Sequence, residues 1–92
     1  MRSAQLCAIA ALALAASMTA ARAEYVCGLN PYGDNFLSLR TGPGTGFDEI
    51  DRLGTNTVLT VLNQRGPWLY VATRNSGSGW VHRRYVCGGY PR

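Results

Sequence analysis

Cys27 and Cys87 are the residues whose type and spacing most plainly suggest covalent chemistry. The third cysteine, Cys7, lies in an N-terminal apolar segment that we expect to be removed. In an oxidising compartment, two cysteines in a short chain most simply form a disulfide bond. Closing a loop of about 60 residues would add on the order of 4 kcal/mol of stability by restricting the unfolded chain. The alternative is a reactive thiol assisted by His82, which the same compartment disfavours.

His82 is the only histidine, and three carboxylates lie close together at Asp48, Glu49 and Asp51. The histidine has no cysteine, aspartate or glutamate beside it at the spacing of a metal site. The carboxylates could coordinate a hard cation such as calcium, but an acidic cluster on a loop beside a strand is more commonly solvated. No opposing wall that would raise a carboxyl pKa for acid–base catalysis can be identified. We therefore predict a non-catalytic protein with no metal and no cofactor.

The first 23 residues have the three parts of a secretory signal peptide. Arg2 precedes an apolar run over residues 6–16, and Ala21-Arg22-Ala23 fits a small-x-small cleavage site. The apolar run falls short of the roughly 20 residues that a membrane-spanning helix needs. We therefore predict cleavage after Ala23, a mature chain that starts at Glu24, a periplasmic or secreted location, and no membrane insertion.

All nine basic residues of the chain are arginines, and the net charge is +4. Loss of the predicted signal peptide leaves seven arginines against five carboxylates. That excess is too small for a nucleic-acid-binding surface, even around Arg74, His82, Arg83 and Arg84, so we expect no nucleic-acid partner. Guanidinium groups can capture a carboxylate with two hydrogen bonds. A general compositional bias toward arginine explains the absence of lysine more simply.

Apolar residues recur at every second position and glycine-rich breaks separate the runs, which predicts an all-β fold. The predicted strands are 37–40, 50–53, 57–62, 68–73 and 79–82, with one helical turn at 83–85 and a last segment at 86–87. We expect one domain over 24–92 with its core at 36–87. Its five or six short strands should form a small barrel, and a terminal disulfide should tie the two chain ends together. Residues 24–35 and 88–92 are predicted to be flexible ends.

The same alternation assigns side chains to faces. Leu59 and Val61 should point inward. Leu69 and Val71 share one face of their strand and Trp68 and Tyr70 share the other, so both faces carry bulky groups and one of them is expected to build a groove. Trp80 is expected in the core.

Three sequence blocks resemble the bacterial SH3 domain family: Leu37-Ser38-Leu39-Arg40-Thr41-Gly42-Pro43-Gly44-Thr45-Gly46-Phe47, Trp68-Leu69-Tyr70-Val71 and Gly79-Trp80-Val81-His82. The resemblance runs from about Phe36 to Val86, and its most specific part is the L-x-L-R-x-G-P-G block. It implies an exported or envelope-associated SH3-like barrel that binds cell-wall peptides or other ligands. Such domains often accompany a catalytic domain, and none is recognisable in this sequence.

The resemblance extends to eukaryotic SH3 barrels, in which a tryptophan opening the third strand and a tyrosine in the helical turn line a groove for proline-rich peptides. Trp68 and Tyr85 match these positions. The proline that usually follows the Gly-aromatic-Val step is His82 here, and the tyrosine-rich motif of the first strand is absent, so PxxP recognition is not expected. The implied ligand-binding residues are Trp68, Tyr85, Phe47 and His82, with Arg83 and Arg84 at the rim.

Two classes of function remain open. The first is an exported module that binds cell-wall peptide or an envelope protein through an aromatic groove. The second is a protein-interaction or inhibitor module that uses the loop from Thr41 to Asp51 and has no cell-wall ligand. A folded envelope component without a ligand of its own is a third possibility. In each case we expect a monomer.

Overall fold

The computed structural model describes residues 22–88, which form seven β-strands and one 3-10 turn. The predicted signal peptide, apart from its last two residues, and residues 89–92 of the predicted flexible end lie outside the described residues. The elements are β1 Arg22–Val26, β2 Leu37–Arg40, β3 Glu49–Leu53, β4 Val58–Arg65, β5 Trp68–Thr73, β6 Ser78–His82, the 3-10 turn Arg83–Tyr85 and β7 Val86–Gly88.

The strands form one antiparallel sheet in the order β3-β2-β6-β5-β4-β1-β7. The sheet curves around one core but does not close, because its edge strands β3 and β7 do not pair within the described residues. The all-β class and the short 3-10 turn are confirmed, with seven strands where five or six were predicted. No helix within residues 22–88 is long and apolar enough to span a membrane.

One face of the sheet supplies the core. Its alternate residues are buried: Leu59 and Val61 in β4, as predicted, and Leu69 and Val71 in β5. The complete buried apolar set is Val26, Leu37, Leu39, Leu53, Leu59, Val61, Leu69, Val71 and Val81. Six strands contribute to this set, so the domain is held together by non-local contacts across the curved sheet.

Trp80 does not lie in the core, and this prediction was wrong. The inward positions of β6 are Gly79 and Val81, so the two-residue period of the strand turns Trp80 to the outer face. There it is half-buried and pairs with Tyr70 on β5, with ring centroids 5.2 Å apart. The bulk of tryptophan suggested burial, whereas strand geometry decides its face.

Gly79 allows β6 to pack closely against β2. A Cβ at this position would lie 2.8 Å from the Arg40 carbonyl oxygen and 2.9 Å from Leu39 Cγ. Neither atom belongs to a flexible side-chain end, so any larger residue would push the two strands apart.

Strand β1 was predicted to be part of a flexible end, and that prediction was wrong. It lies between β4 and β7 and pairs with both. Val26 is fully buried, and the side chain of Glu24, on the same face, is only 12% exposed. Glu24 makes an ion pair with Arg22, with a nitrogen–oxygen distance of 3.4 Å. Because a charged residue occupies an inward position, the apolar alternation that marks the other strands is missing here.

The predicted disulfide between Cys27 and Cys87 is confirmed, with Cα atoms 5.9 Å apart and a sequence separation of 60. It joins the residue after β1 to the middle of β7. The Cys27 backbone N–H also donates to the Tyr85 carbonyl at 2.9 Å. The covalent bond therefore lies directly beside the 3-10 turn.

Candidate ligand-binding groove

A groove of about 360 Å³ is lined by residues of β2, β5, β6 and the 3-10 turn and of the segments on either side of β2. The residues that line this groove are Asp34, Phe36, Leu37, Ser38, Arg40, Thr45, Trp68, His82 and Tyr85. The set contains both aromatic rings and polar side chains, which is typical of sites that bind a ligand with both apolar and polar groups.

One wall of the groove consists of three rings. Trp68 and His82 are cross-strand neighbours on β5 and β6, and their rings meet edge to face with centroids 5.1 Å apart. The 3-10 turn directly follows β6 and places the Tyr85 ring 6.4 Å from that of His82. Trp68, His82 and Tyr85, three of the residues proposed from sequence, thus lie side by side.

Two hydrogen bonds fix this wall. The Arg84 backbone N–H donates to Nδ1 of His82 at 3.1 Å, so the histidine caps the 3-10 turn. The Arg83 backbone N–H donates to the Pro67 carbonyl at 2.9 Å and ties the turn to the residue before Trp68. The relative positions of the three rings are therefore set by backbone contacts, not by the rings alone.

The rest of the lining, called the polar wall, comes from β2, the residues before it and Thr45. Ser38 and Arg40 alternate with the buried leucines of β2 and so face outward. Nη1 of Arg40 donates to the carbonyl oxygens of Phe47 at 3.0 Å and Thr45 at 3.4 Å. This arginine therefore holds the loop from Thr41 to Asp51 in place and also lines the groove.

The polar wall was not predicted from the sequence. The alternation in β2 predicts which of its residues face outward, but it does not predict which strand pairs with β2. β2 pairs with β6 through Arg40 and Trp80, although three strands separate them along the chain. The aromatic ring of Phe36 also lines the groove, with the Arg52 guanidinium carbon 4.2 Å from its centroid.

Three of the residues proposed from sequence lie outside the groove. The Phe47 side chain is 48% exposed, and its ring lies against Gly42 so closely that no Cβ fits there. Arg83 lines a separate polar pocket with Arg22 and Glu24. Arg84 is exposed and does not line the groove; its guanidinium carbon lies 5.9 Å from the centroid of the Tyr85 ring.

The acidic cluster makes hydrogen bonds within the fold. The pKa of Glu49 is lowered because the side chains of Arg52 and Ser38 donate to its carboxylate. The pKa of Asp51 is lowered by a hydrogen bond from the Ser76 side chain and by the Arg52 backbone N–H. Within residues 22–88, no three His, Cys, Asp or Glu side chains form a group able to hold a metal ion.

A comparison with protein families connects this geometry to a known class. The family model described as Bacterial SH3 domain matches residues 35–86. The chain belongs to the bacterial SH3 domain family. Bacterial SH3 domains are binding modules and generally non-catalytic. No curated protein and no solved structure matched the chain.

This bacterial SH3 domain carries additions on both sides of the matched residues. Cys27, Cys87 and the whole of β1 lie outside residues 35–86, whereas eight of the nine groove residues lie within them. Asp34, just before the matched region, is the ninth. The groove is therefore built from the family domain, and the disulfide joins the two flanking segments.

Proposed function

We propose that this bacterial SH3 domain is an exported, non-catalytic binding module that recognises a peptide segment, of the cell wall or of an envelope protein, in the groove. The observation that carries the proposal is that the rings of Trp68, His82 and Tyr85 line one groove together with the polar side chains of Ser38 and Arg40. Aromatic rings pack against the apolar parts of a peptide, while polar groups in the same site pair with its backbone.

Export is supported by the composition of the first 23 residues and by the disulfide bond. Disulfide bonds persist in oxidising compartments such as the periplasm or the cell exterior. We propose that cleavage follows Ala23. The chain would then start at Glu24 and keep residues 24–26 of β1, which pair with β7 in the structure.

Sedimentation with purified cell-wall sacculi tests this function. The oxidised wild-type domain should sediment with sacculi, and the Trp68→Ala variant should stay in the supernatant. Tyr32→Ala is the matched aromatic control, because Tyr32 is 97% exposed and does not line the groove. Loss of sedimentation in both variants, or in neither, would contradict a site in the groove. The same variants are then incubated with an envelope extract. A protein that binds the wild type and Tyr32→Ala but not Trp68→Ala is identified as a protein ligand of the groove.

A second function uses the loop from Thr41 to Asp51 as a protein-interaction or inhibitor surface. It is supported by the ordered backbone of this loop, where the Thr41 N–H donates to the Asp48 carbonyl at 2.9 Å. The side chains of Phe47 and Ile50 are 48% and 50% exposed, so the loop offers apolar contact area. Binding of an envelope protein that Phe47→Ala abolishes and Trp68→Ala leaves intact would favour this second function.

A further inference from the structure

The hydrogen bond that caps the 3-10 turn also determines where His82 carries its proton. Nδ1 accepts the Arg84 backbone N–H at 3.1 Å, so this nitrogen must present a lone pair. A neutral imidazole has one donor and one acceptor nitrogen. The proton of neutral His82 therefore lies on Nε2, which becomes a hydrogen-bond donor.

This donor lies on a ring that lines the groove. The His82 ring is half-buried between Trp68 and Tyr85, with centroid distances of 5.1 Å and 6.4 Å. No hydrogen bond joins Nε2 to another side chain or carbonyl within residues 22–88; the only side-chain bond of His82 there is the one at Nδ1. A donor at such a wall is suited to pair with an acceptor on a ligand.

Resting on the function proposed above, we propose that His82 determines the specificity of the groove by donating from Nε2 to an oxygen of the bound peptide. The oxygen is an acyl oxygen, either of a backbone carbonyl or of a terminal carboxylate. The rings of Trp68 and Tyr85 belong to the same wall as this donor. A ligand without an acceptor at this point would leave the donor unpaired.

The charged groups around the donor do not indicate whether the acceptor is a backbone carbonyl or a terminal carboxylate. Arg40 and Asp34 line the same groove and carry opposite charges. Arg83 and Arg84 lie on the turn that His82 caps. Both sources of the oxygen therefore belong in the experiment, as separate arms.

Two substitutions distinguish the role of His82 as a hydrogen-bond donor to the ligand from its role as the cap of the 3-10 turn. In His82→Asn, the amide oxygen lies near the position of Nδ1 and can accept from Arg84, but nothing replaces Nε2. In His82→Gln, the longer side chain can bring an amide N–H to the position of Nε2, and the cap is lost. We expect His82→Asn to fold normally and bind about ten-fold more weakly, as expected for an unpaired acceptor, while His82→Gln binds more tightly than His82→Asn.

The probe is a synthetic cell-wall stem peptide, titrated calorimetrically once with a free C-terminal carboxylate and once as its C-terminal amide. His82-dependent binding of both peptides supports a backbone carbonyl as the acceptor, and binding of the free acid alone supports a carboxylate. Equal affinities of wild type and His82→Asn would overturn the inference and leave the proposed function intact. If the wild type binds neither peptide, the proposed recognition of cell-wall peptide fails and this inference fails with it.

Nitrogen-15 NMR of the wild-type domain gives a measurement that needs no variant. The imidazole of the free domain should show a protonated Nε2 and an unprotonated Nδ1, and the Nε2 proton should move downfield when the peptide binds. A proton on Nδ1 in the free neutral ring, or an unchanged Nε2 proton in the complex, would overturn the assignment.

Discussion

Trp68 and His82 face each other across β5 and β6, with ring centroids 5.1 Å apart and ring planes at 78°. Such a pair contributes about 0.5–1.5 kcal/mol beyond simple burial, so loss of the indole should leave the domain folded. We expect Trp68→Phe to retain most of the binding to sacculi and Trp68→Ala to lose at least about ten-fold, because only the first keeps an aromatic wall. Titration of both variants with solubilised cell-wall fragments measures the difference. Equal loss in both would assign the role of Trp68 to its indole N–H.

Gly79 should tolerate no side chain. In Gly79→Ala, the added Cβ meets the Arg40 carbonyl oxygen and the Leu39 side chain, and overpacking of this kind costs about 1–3 kcal/mol. Gly54→Ala is the matched control, because nothing lies within 4 Å of a Cβ there. Urea unfolding of the oxidised domain followed by tryptophan fluorescence gives both free energies. A Gly79→Ala variant as stable as Gly54→Ala would mean that β2 and β6 separate at little cost.

Removal of the disulfide should destabilise the whole domain. The double variant Cys27→Ala/Cys87→Ala should lose on the order of 4 kcal/mol of unfolding free energy, since the unfolded chain regains the freedom of the closed loop. Denaturant unfolding of the variant and of the oxidised wild type measures this loss. The reduced wild type is the control for the alanine side chains and should agree with the double variant. A loss below about 1 kcal/mol would show that the unfolded chain is already restricted without the bond.

Acid should destabilise the domain through two surface carboxyls. The ordinary pKa values of Glu49 and Asp51 are 4.5 and 3.8, and hydrogen bonds lower the pKa of each in the folded state. A carboxyl with a lowered pKa stabilises the fold above its unfolded pKa, and this stabilisation is lost as the pH falls through the folded value. Stability should therefore begin to decline below about pH 4.5 and decline further below pH 3.8.

The double variant Glu49→Gln/Asp51→Asn isolates this contribution. Its melting temperature should be lower than that of the wild type at pH 7 and approach the wild-type value as the pH falls below 3.8. Asp48→Asn serves as the control from the same acidic cluster. If the melting temperatures of wild type and double variant change in parallel with pH, these two carboxyls are not the source of the acid sensitivity.

The sequence predicted the parts of the fold that depend on local alternation. Leu59 and Val61 could be assigned to the core, and Leu69 and Trp68 to opposite faces of their strand, because a strand has a period of two. The prediction for Trp80 was wrong because the same period places it on the face of β6 opposite Val81. Strand β1 was missed because Glu24 occupies one of its inward positions, and burial of a charged residue leaves no apolar pattern.

The candidate site was predictable only in part, for a topological reason. Trp68, His82 and Tyr85 lie on neighbouring elements of the chain, and the resemblance to SH3 barrels already grouped Trp68 with Tyr85. Arg40 joins them only through the pairing of β2 with β6, which no local pattern specifies. Phe47 was grouped with the aromatic residues by type, but its ring lies against the glycine of its own loop.

The position of the disulfide determines how the domain responds to mechanical tension. A force that pulls the two ends of the described chain apart acts on β1 and on the end of β7, and it then passes between them through the bond of Cys27 to Cys87. The loop that this bond encloses contains the entire groove. Stretching in a single-molecule experiment should therefore extend the oxidised domain only at its margins, while the groove stays free of load until the bond is reduced.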